Sequence, residues 1–408
     1  MEEQEGESDM KILQLCLKPP LPARDGGCIA MNNITQGLLA EGHKVKVLTI
    51  FTHKHDFLID EMPKDYVAAT RIEGVFVDTR LNVMDAFANF MTSDSYNISR
   101  FFSPDMDRKI MEVLTSEKFD IIHLESLFMT PYLPMIRRHS NAPIVLRSHN
   151  LEFVIWEKIT HGTRNIAKRT YLKYLTTKLR EYELKALDAV NGIVAISGDD
   201  MRRFKKLGVK KPIRNIPFGI DPSQYVPGEK KPELALFHLG AMDWSPNLEG
   251  IIWFLEAVWP KIHAQYPKLK FYIAGRHMPE DLVRNLPKNV VAVGEVERAD
   301  EFMKSKAVMI VPLLSGGGIR VKIIEGLALG KAIISTSIGA EGTDCKDGAQ
   351  LLIADTPGEW VKAVGRLVEE TDLADSLGHA GRTHVAAHFD NKKIISDLVK
   401  FYKELRAK

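Results

Sequence analysis

Short apolar runs alternate with helix-like stretches along almost the whole chain, and the series occurs twice. The first series comprises Lys11–Leu17, Lys44–Ile50, Gly74–Val77, Ile121–Leu124, Ile144–Leu146 and Gly192–Ile196. The second comprises Ala235–Leu239, Lys270–Ala274, Val290–Val293, Ala307–Val311, Ala332–Ser335 and Leu351–Ile353. Runs of this length fit strands covered on both faces, and the stretches between them supply helical crossovers. The pattern therefore predicts an α/β fold built on parallel sheets.

A chain of 408 residues exceeds the size at which one core keeps growing, so two domains are expected. Asp221–Pro232, rich in Pro, Gly and Lys, reads as the linker. We expect a disordered tail over residues 1–9 and a Rossmann-like domain over 10–225. A second such domain should span 226–388, with a terminal helix in 389–408 able to pack back toward the first. In doubly wound halves of this kind, ligand belongs in the cleft where the carboxyl ends of both sheets face each other.

Composition removes several classes of function. A net charge of +2 gives no general attraction to nucleic acid. Cys16, Cys28 and Cys345 are too scattered for a disulfide framework or a metal-binding pair, which suits a reducing compartment. The acidic start lacks the apolar core of a secretory signal, and no run approaches the ~20 apolar residues that span a bilayer. The expected location is cytoplasmic, with a peripheral seat on the inner membrane face as the alternative.

The densest chemistry lies in Ser315-Gly316-Gly317-Gly318-Ile319-Arg320-Val321-Lys322-Ile323-Ile324-Glu325. Three glycines follow the apolar run Val308–Val311 and precede a helix pattern, Ile319–Leu329. Strand, bare backbone and helix start together collect N–H groups around an anion. Arg320 and Lys322 add positive charge where it opposes the helix dipole, so an anion there would relieve them. Glu325 lies one turn beyond Lys322 and suits sugar hydroxyls. The bland alternative is an ordinary strand-to-helix turn with a surface Lys–Glu pair. Agreement among several features favours a nucleotide-sugar site.

These features, with the early Gly26-Gly27 loop and the following Gly-Leu-Ala-Leu-Gly-Lys-Ala-Ile-Ile-Ser-Thr run, resemble a GT-B glycosyltransferase. The resemblance is to the retaining family-4 (group-1) type, in the branch with a Gly-Gly-Gly-x-Arg-x-Lys loop. It extends from Met10 over nearly the whole chain. It implies that Gly316, Gly317, Gly318, Ile319, Arg320 and Lys322 hold the donor diphosphate and that Glu325 holds the ribose. It also implies that Gly26 and Gly27 admit the phosphate or acceptor, and that Gly294, Glu295 and Val296 form the base-recognition loop. His149, in Leu146-Arg147-Ser148-His149-Asn150, would contact the donor sugar and support the reaction. Its alternative is a structural histidine near a helix cap. Glu125 and Asn150 are acceptor-side candidates; for Glu125 a capping or surface role is the alternative, and His123 reads as packed. Two departures stand out. The first glutamate of the family's E-x7-E pair falls at Gly317, and His238–Asn247 lacks the Arg and Lys that many relatives place there.

Asp105-Met106-Asp107 matches an Asp-x-Asp metal motif, yet it follows Ser103-Pro104 and reads as a helix start. No cofactor or metal is expected, because a UDP- or GDP-sugar is the substrate and its charge would be met by helix dipole and cations. The expected activity is transfer of a hexose to a glycan or lipid-linked acceptor with retention of configuration. The basic segment 158–185 is either a solvated helix face or a contact with anionic membrane. Alternatives for the whole chain are a GT-B nucleotide-sugar 2-epimerase and a degenerate, non-catalytic carbohydrate-binding protein.

Overall fold

The computed structural model describes residues 9–23, 25–79, 98, 100–163, 165–228, 231–316, 320–370 and 372–408. The chain forms two units. One takes the residues up to Gly219 together with Asn391–Lys408, and the other takes Ile220–Asp390. Each is a parallel α/β sandwich, as the apolar alternation predicts.

The first unit contains β1 (Lys11–Cys16), β2 (Lys44–Phe51), β3 (Glu73–Phe76), β4 (Ile121–Glu125), β5 (Ile144–Ser148), β6 (Gly192–Ala195) and β7 (Ile213–Asn215). Their order is β3-β2-β1-β4-β5-β6-β7, and every neighbouring pair is parallel. Successive side chains point to opposite faces. Leu13, Leu15, Leu124 and Leu146 enter one core, while Ile12, Cys16, Ile121 and Val145 enter the other. The second face is covered by the helices Gly26–Ala40 and Asn391–Arg406, the latter through Ile394, Leu398, Phe401 and Tyr402. The chain leaves this unit at Gly219, whose carbonyl accepts from Asn33 Nδ2 at 2.6 Å, and re-enters at Asn391, which donates to Asn33 O. The Asp221–Pro232 stretch thus lies with the second unit.

The second unit has β8 (Glu233–Leu239), β9 (Phe271–Ala274), β10 (Val290–Gly294), β11 (Lys306–Val311), β12 (Ala332–Ser335) and β13 (Leu352–Ile353), ordered β10-β9-β8-β11-β12-β13. In both sheets the winding reverses, once between β1 and β4 and once between β8 and β11. The loops at the carboxyl ends of those pairs are where such sheets bind ligands.

Three differences from the sequence reading have physical causes. β4 and β5 run past their apolar stretches to Glu125 and Ser148, because Glu125 and Arg147 stand in register and Arg147 Nη1 donates to Glu125 Oε2 at 3.0 Å. The helix expected over Pro246–His263 is broken by a π-helical turn, Phe254–Val258. Pro260 follows, and its missing N–H removes a donor that a continuous helix would need there. β7 is a three-residue edge strand flanked by Pro212 and Pro217, too short to register as an apolar run.

One glycine ties the second core to its ligand-side loop. Gly250, in the helix Ser245–Trp253, lies against the backbone at the exit of β11, where an added Cβ would sit 2.3 Å from Pro312 O and 3.0 Å from its carbon. Backbone cannot swing away as a side-chain tip can. Gly250→Ala is expected to cost about 1–3 kcal/mol, seen as a drop of roughly 2–4 °C per kcal/mol in the melting of the second unit. Differential scanning calorimetry checks this, and unchanged melting would contradict the packing described.

Candidate functional site

Strand parity gathers the polar residues of the first unit. Gln14 on β1, His123 and Glu125 on β4 and Arg147 on β5 share the sheet face closed by the helices Gly26–Ala40 and Asn391–Arg406, and all four are buried. Glu125 is their centre and has no exposed surface. Its Oε1 accepts from Gln14 Nε2 at 3.0 Å and faces His123 Nε2 at 3.2 Å. Its Oε2 accepts from Arg147 Nη1 at 3.0 Å and lies 3.0 Å from His149 Nε2. Beyond it, Thr35 Oγ1 donates to Gln14 Oε1 at 2.7 Å, and Tyr402 Oη lies 2.6 Å from His123 Nδ1. Burial alone would raise the Glu125 carboxyl, but the Arg147 charge and the histidine contacts hold it well below the usual carboxylate range. Burial, reinforced by the Glu125 charge, pushes the Tyr402 phenol well up, so it is the donor to His123.

This overturns the acceptor-side reading of Glu125 and its surface alternative. A carboxylate with about four acceptor positions, all engaged internally, has none left for an acceptor. Sequence reasoning missed Gln14, Arg147 and Tyr402. A detectable signal was a charge at the apolar parity of β5, which needs a buried partner.

His149 follows β5 with its side chain 21% exposed. Burial lowers its pKa below the ordinary histidine value; Glu125 pulls it up, and Arg147 and Lys18 push it further down. Asn150 is half-buried, and its carbonyl accepts from Ser148 Oγ at 2.8 Å. The helix Glu152–Gly162 begins directly afterwards. Its first N–H groups are received by Glu183, at 3.1 Å from Glu152 N and 3.0 Å from Phe153 N. Burial lifts that carboxyl to about 8 against the pull of those two donors.

After β1 and the loop that follows it, Gly26 and Gly27 open the helix Gly26–Ala40 rather than preceding it. Asp25 caps that helix through Cys28 N and is paired with Lys18 at 2.6 Å. Burial opposes ionisation of Asp25, yet Lys18 and the Cys28 N–H bring its carboxyl down to about 2. A Cβ on Gly27 would lie 3.1 Å from Lys18 Nζ, so the glycine leaves room for this cation, which the sequence reading did not single out.

The second unit builds its loops at the β8–β11 junction. His238 on β8 lies 3.1 Å from Ile310 O on β11, so Nδ1 carries the proton and donates. Burial lowers its pKa to about 4 against that bond, and the ring is neutral. Gly316 sits at φ +105°, where a side chain would be strained and would meet Arg320 Nη2 and the Trp244 ring. The Arg320 guanidinium lies over the Trp244 indole at 5.2 Å, a cation–π contact the sequence reading did not foresee. The following helix is Val321–Ala328, so Arg320 is its cap and only Lys322 stands in the first turn. Apolar periodicity alone places the helix start at Ile319, two residues early, because it does not reveal the extended backbone at Arg320. Lys322 and Glu325 form an ion pair at 3.0 Å, and Tyr225 Oη donates to Glu325 Oε1 at 3.2 Å. Gly317, Gly318 and Ile319 lie outside the described residues.

Gly294 adopts φ +79° and its carbonyl accepts from Gly275 N, while Glu295 is exposed and Val296 partly buried beside it. Asp105 and Asp107 occupy the first turn of the helix Pro104–Ser116. Among the described residues, no group of three or more His, Cys, Asp or Glu is arranged to hold a metal ion, and no helix is long and apolar enough to cross a membrane.

Comparison with known proteins matches both units. Residues 26–224 fit the model of Glycosyltransferase Family 4, and residues 233–370 fit that of Glycosyl transferases group 1. The chain is 24% identical over 315 residues to a phosphatidyl-myo-inositol mannosyltransferase of Mycolicibacterium smegmatis, covering 74% of this chain and 75% of that one. Its fold is similar to that of sucrose-phosphate synthase from Thermosynechococcus elongatus, with TM-score 0.72 at 16% identity over 98% of this chain and 99% of the other. It is also similar to Anabaena Alr3699/HepE in complex with UDP, with TM-score 0.67 at 12% identity over 97% of this chain and 100% of that chain. With a sheet of the same switch-point design in each unit and a family model on each, the chain belongs to the GT-B glycosyltransferases of the family-4, group-1 type.

Proposed function

We propose that the protein moves a hexose from a UDP- or GDP-sugar to a glycan or lipid-linked acceptor, with retention of anomeric configuration and without a metal ion. The observation that carries this reading is the second unit's switch point. There Arg320 lies on Trp244, Gly316 holds a backbone conformation open to glycine, and Lys322 is paired with Glu325. Arg320 and Lys322 meet the charge that develops on the leaving diphosphate, the kind of electrostatic stabilisation that usually supplies the largest catalytic term. Glu325 accepts from ribose hydroxyls, which compete with Tyr225 for its Oε1. The backbone around Gly294, Glu295 and Val296 reads the base. His149, at the carboxyl edge of the first sheet, serves the reacting sugar as a neutral ring. Gly26, Gly27 and Asn150 border the acceptor. The UDP in HepE and the lipid-related name of the mannosyltransferase support these substrate classes.

A second element of the proposal concerns membrane. At the junction of the helices Glu152–Gly162 and Ile166–Ala189, Ile159, Ile166 and Tyr171 are 48%, 82% and 44% exposed, beside the exposed cations Lys158, Lys168 and Arg169. Apolar side chains ringed by cations fit the interface of an anionic bilayer, where a lipid-linked acceptor resides.

Three measurements test this. A thermal-shift panel of nucleotides and nucleotide sugars, run in chelator and again with magnesium, should show UDP or GDP stabilising the protein equally in both. At 100 times the dissociation constant the gain is about 2.7 kcal/mol. Arg320→Ala with Lys322→Ala should abolish it, whereas a shift that survives both changes would remove the diphosphate site. His149→Ala should leave the nucleotide shift intact but lower turnover on the order of 10²-fold. Nucleotide binding with no sugar transfer to any glycan or lipid acceptor would favour the binding-only reading that Gly317 suggests. Finally, the protein should float with phosphatidylglycerol-containing vesicles, and Ile166→Asp with Lys168→Glu and Arg169→Glu should leave it in solution. Absence of wild-type flotation would sink the membrane element.

A further inference from the structure

A buried ion pair is a poor device for stability, because desolvating two charges offsets much of their attraction. The first unit nevertheless seals Glu125 and Arg147 together, with side-chain exposures of 0% and 3%. Their arrangement around His149 gives them a purpose. Glu125 Oε2 and His149 Nε2 are 3.0 Å apart. The same nitrogen also lies 3.1 Å from Arg147 Nη1, which itself donates to Oε2, so Nε2 stands between an acceptor and a donor. Glu125 is held ionised, and a proton on Nε2 lets its Oε2 accept from both the ring and Arg147, which is the assignment that leaves no carboxylate lone pair facing a nitrogen lone pair. The charges of Arg147 and Lys18 both disfavour the doubly protonated, cationic ring. One partner therefore fixes where the proton sits, and the other keeps the ring uncharged.

We propose that Glu125 is a positioning residue for His149, holding its ring as the neutral Nε2–H tautomer so that Nδ1 is the acceptor available at the carboxyl edge of the sheet. Nδ1 has no hydrogen-bond partner among the described residues. The carboxylate is itself oriented from behind. Tyr402 on the last helix donates to His123 Nδ1, which leaves His123 Nε2–H to donate to Oε1 beside Gln14. A hydrogen-bonded line thus runs from the C-terminal helix to His149. The tautomer of a histidine is set by the bond its other nitrogen makes, and here that bond is made by a group without freedom to move. The inference rests on the proposed role of His149 in sugar transfer, but its structural half stands apart from that role.

Nitrogen-detected NMR on the wild-type protein, with His149 assigned by substitution, should show the Nε2–H tautomer at neutral pH. An imidazolium or an Nδ1–H ring would overturn the proposal whatever any variant does. In Glu125→Gln the tautomer should be lost or mixed, and kcat should fall roughly tenfold to a hundredfold. KM for the most active donor of the UDP- and GDP-sugar panel should stay within about twofold, since the donor diphosphate and ribose are held elsewhere. Removing the Glu125 charge takes away what raises the His149 pKa, so the acid limb of the activity profile should move to lower pH. A residue with only a structural role would lower the folded fraction and leave tautomer, kcat per folded molecule and acid limb unchanged; that result would overturn the proposal. Where Glu125→Gln fails to fold because Arg147 is left unpaired, Glu125→Gln with Arg147→Met removes both charges and should still lose the tautomer. Wild-type protein that turns over no donor would refute the transfer reading, while the NMR result would still decide what Glu125 does.

Discussion

The interior of the first unit depends on one carboxylate that is never seen by solvent. Glu125 receives donors from β1, β4, β5 and the loop after β5, so it joins the strands flanking the winding reversal to the residue that follows them. Remove it, and Arg147 is left charged in an apolar interior, a loss that in comparable buried pairs costs several kcal/mol. The arrangement is possible because two helices close that face of the sheet. One comes from the start of the chain and the other from its end. The last helix is thus part of the first core, and its Tyr402 is part of the polar network.

The second unit meets a different requirement. On the proposed reading, its loops after β8 and β11 present cationic charge to the donor diphosphate and hold it in one place. The Arg320 guanidinium lies on the Trp244 indole, and the ring restrains it through a cation–π contact. Gly316 makes the approach possible, since any Cβ there would press on both partners. Glu325, by contrast, is held ready between Lys322 and Tyr225. On the proposed reading both neighbours adjust when ribose hydroxyls bind, so part of the binding free energy goes into displacing them.

The fold was largely legible because strands covered on both faces are continuous apolar runs, and helices between them leave few topologies. The glycine, cation and carboxylate grouping at 316–325 was legible as well, because its residues are close in sequence. What escaped is long-range or polar. Tyr402 reaches His123 across the whole unit, and no spacing rule connects them. In sequence the Trp244 loop stands out for the cations it lacks, whereas its ring positions a cation from another loop. Glu125 was placed at a strand end because an apolar criterion stops at the first charge, yet β4 continues with that charge buried in register with Arg147. Sequence reasoning locates charges well; it does not tell which ones the fold pairs.

That distinction separates two histidines, one in each unit. His238 and His149 both have lowered pKa values, with burial as the leading cause. His238 spends its Nδ1–H on the carbonyl of Ile310 and is 2% exposed, so its neutrality serves the joining of β8 to β11. His149 spends Nε2–H on Glu125 but remains 21% exposed, so its neutrality is carried to the surface of the unit. Burial alone would make the two residues equivalent. What makes His149 the functional candidate is a charge-balanced pair behind it, in which Arg147 opposes protonation and Glu125 fixes the proton's place. Such a pair has little value as packing and a clear one as orientation.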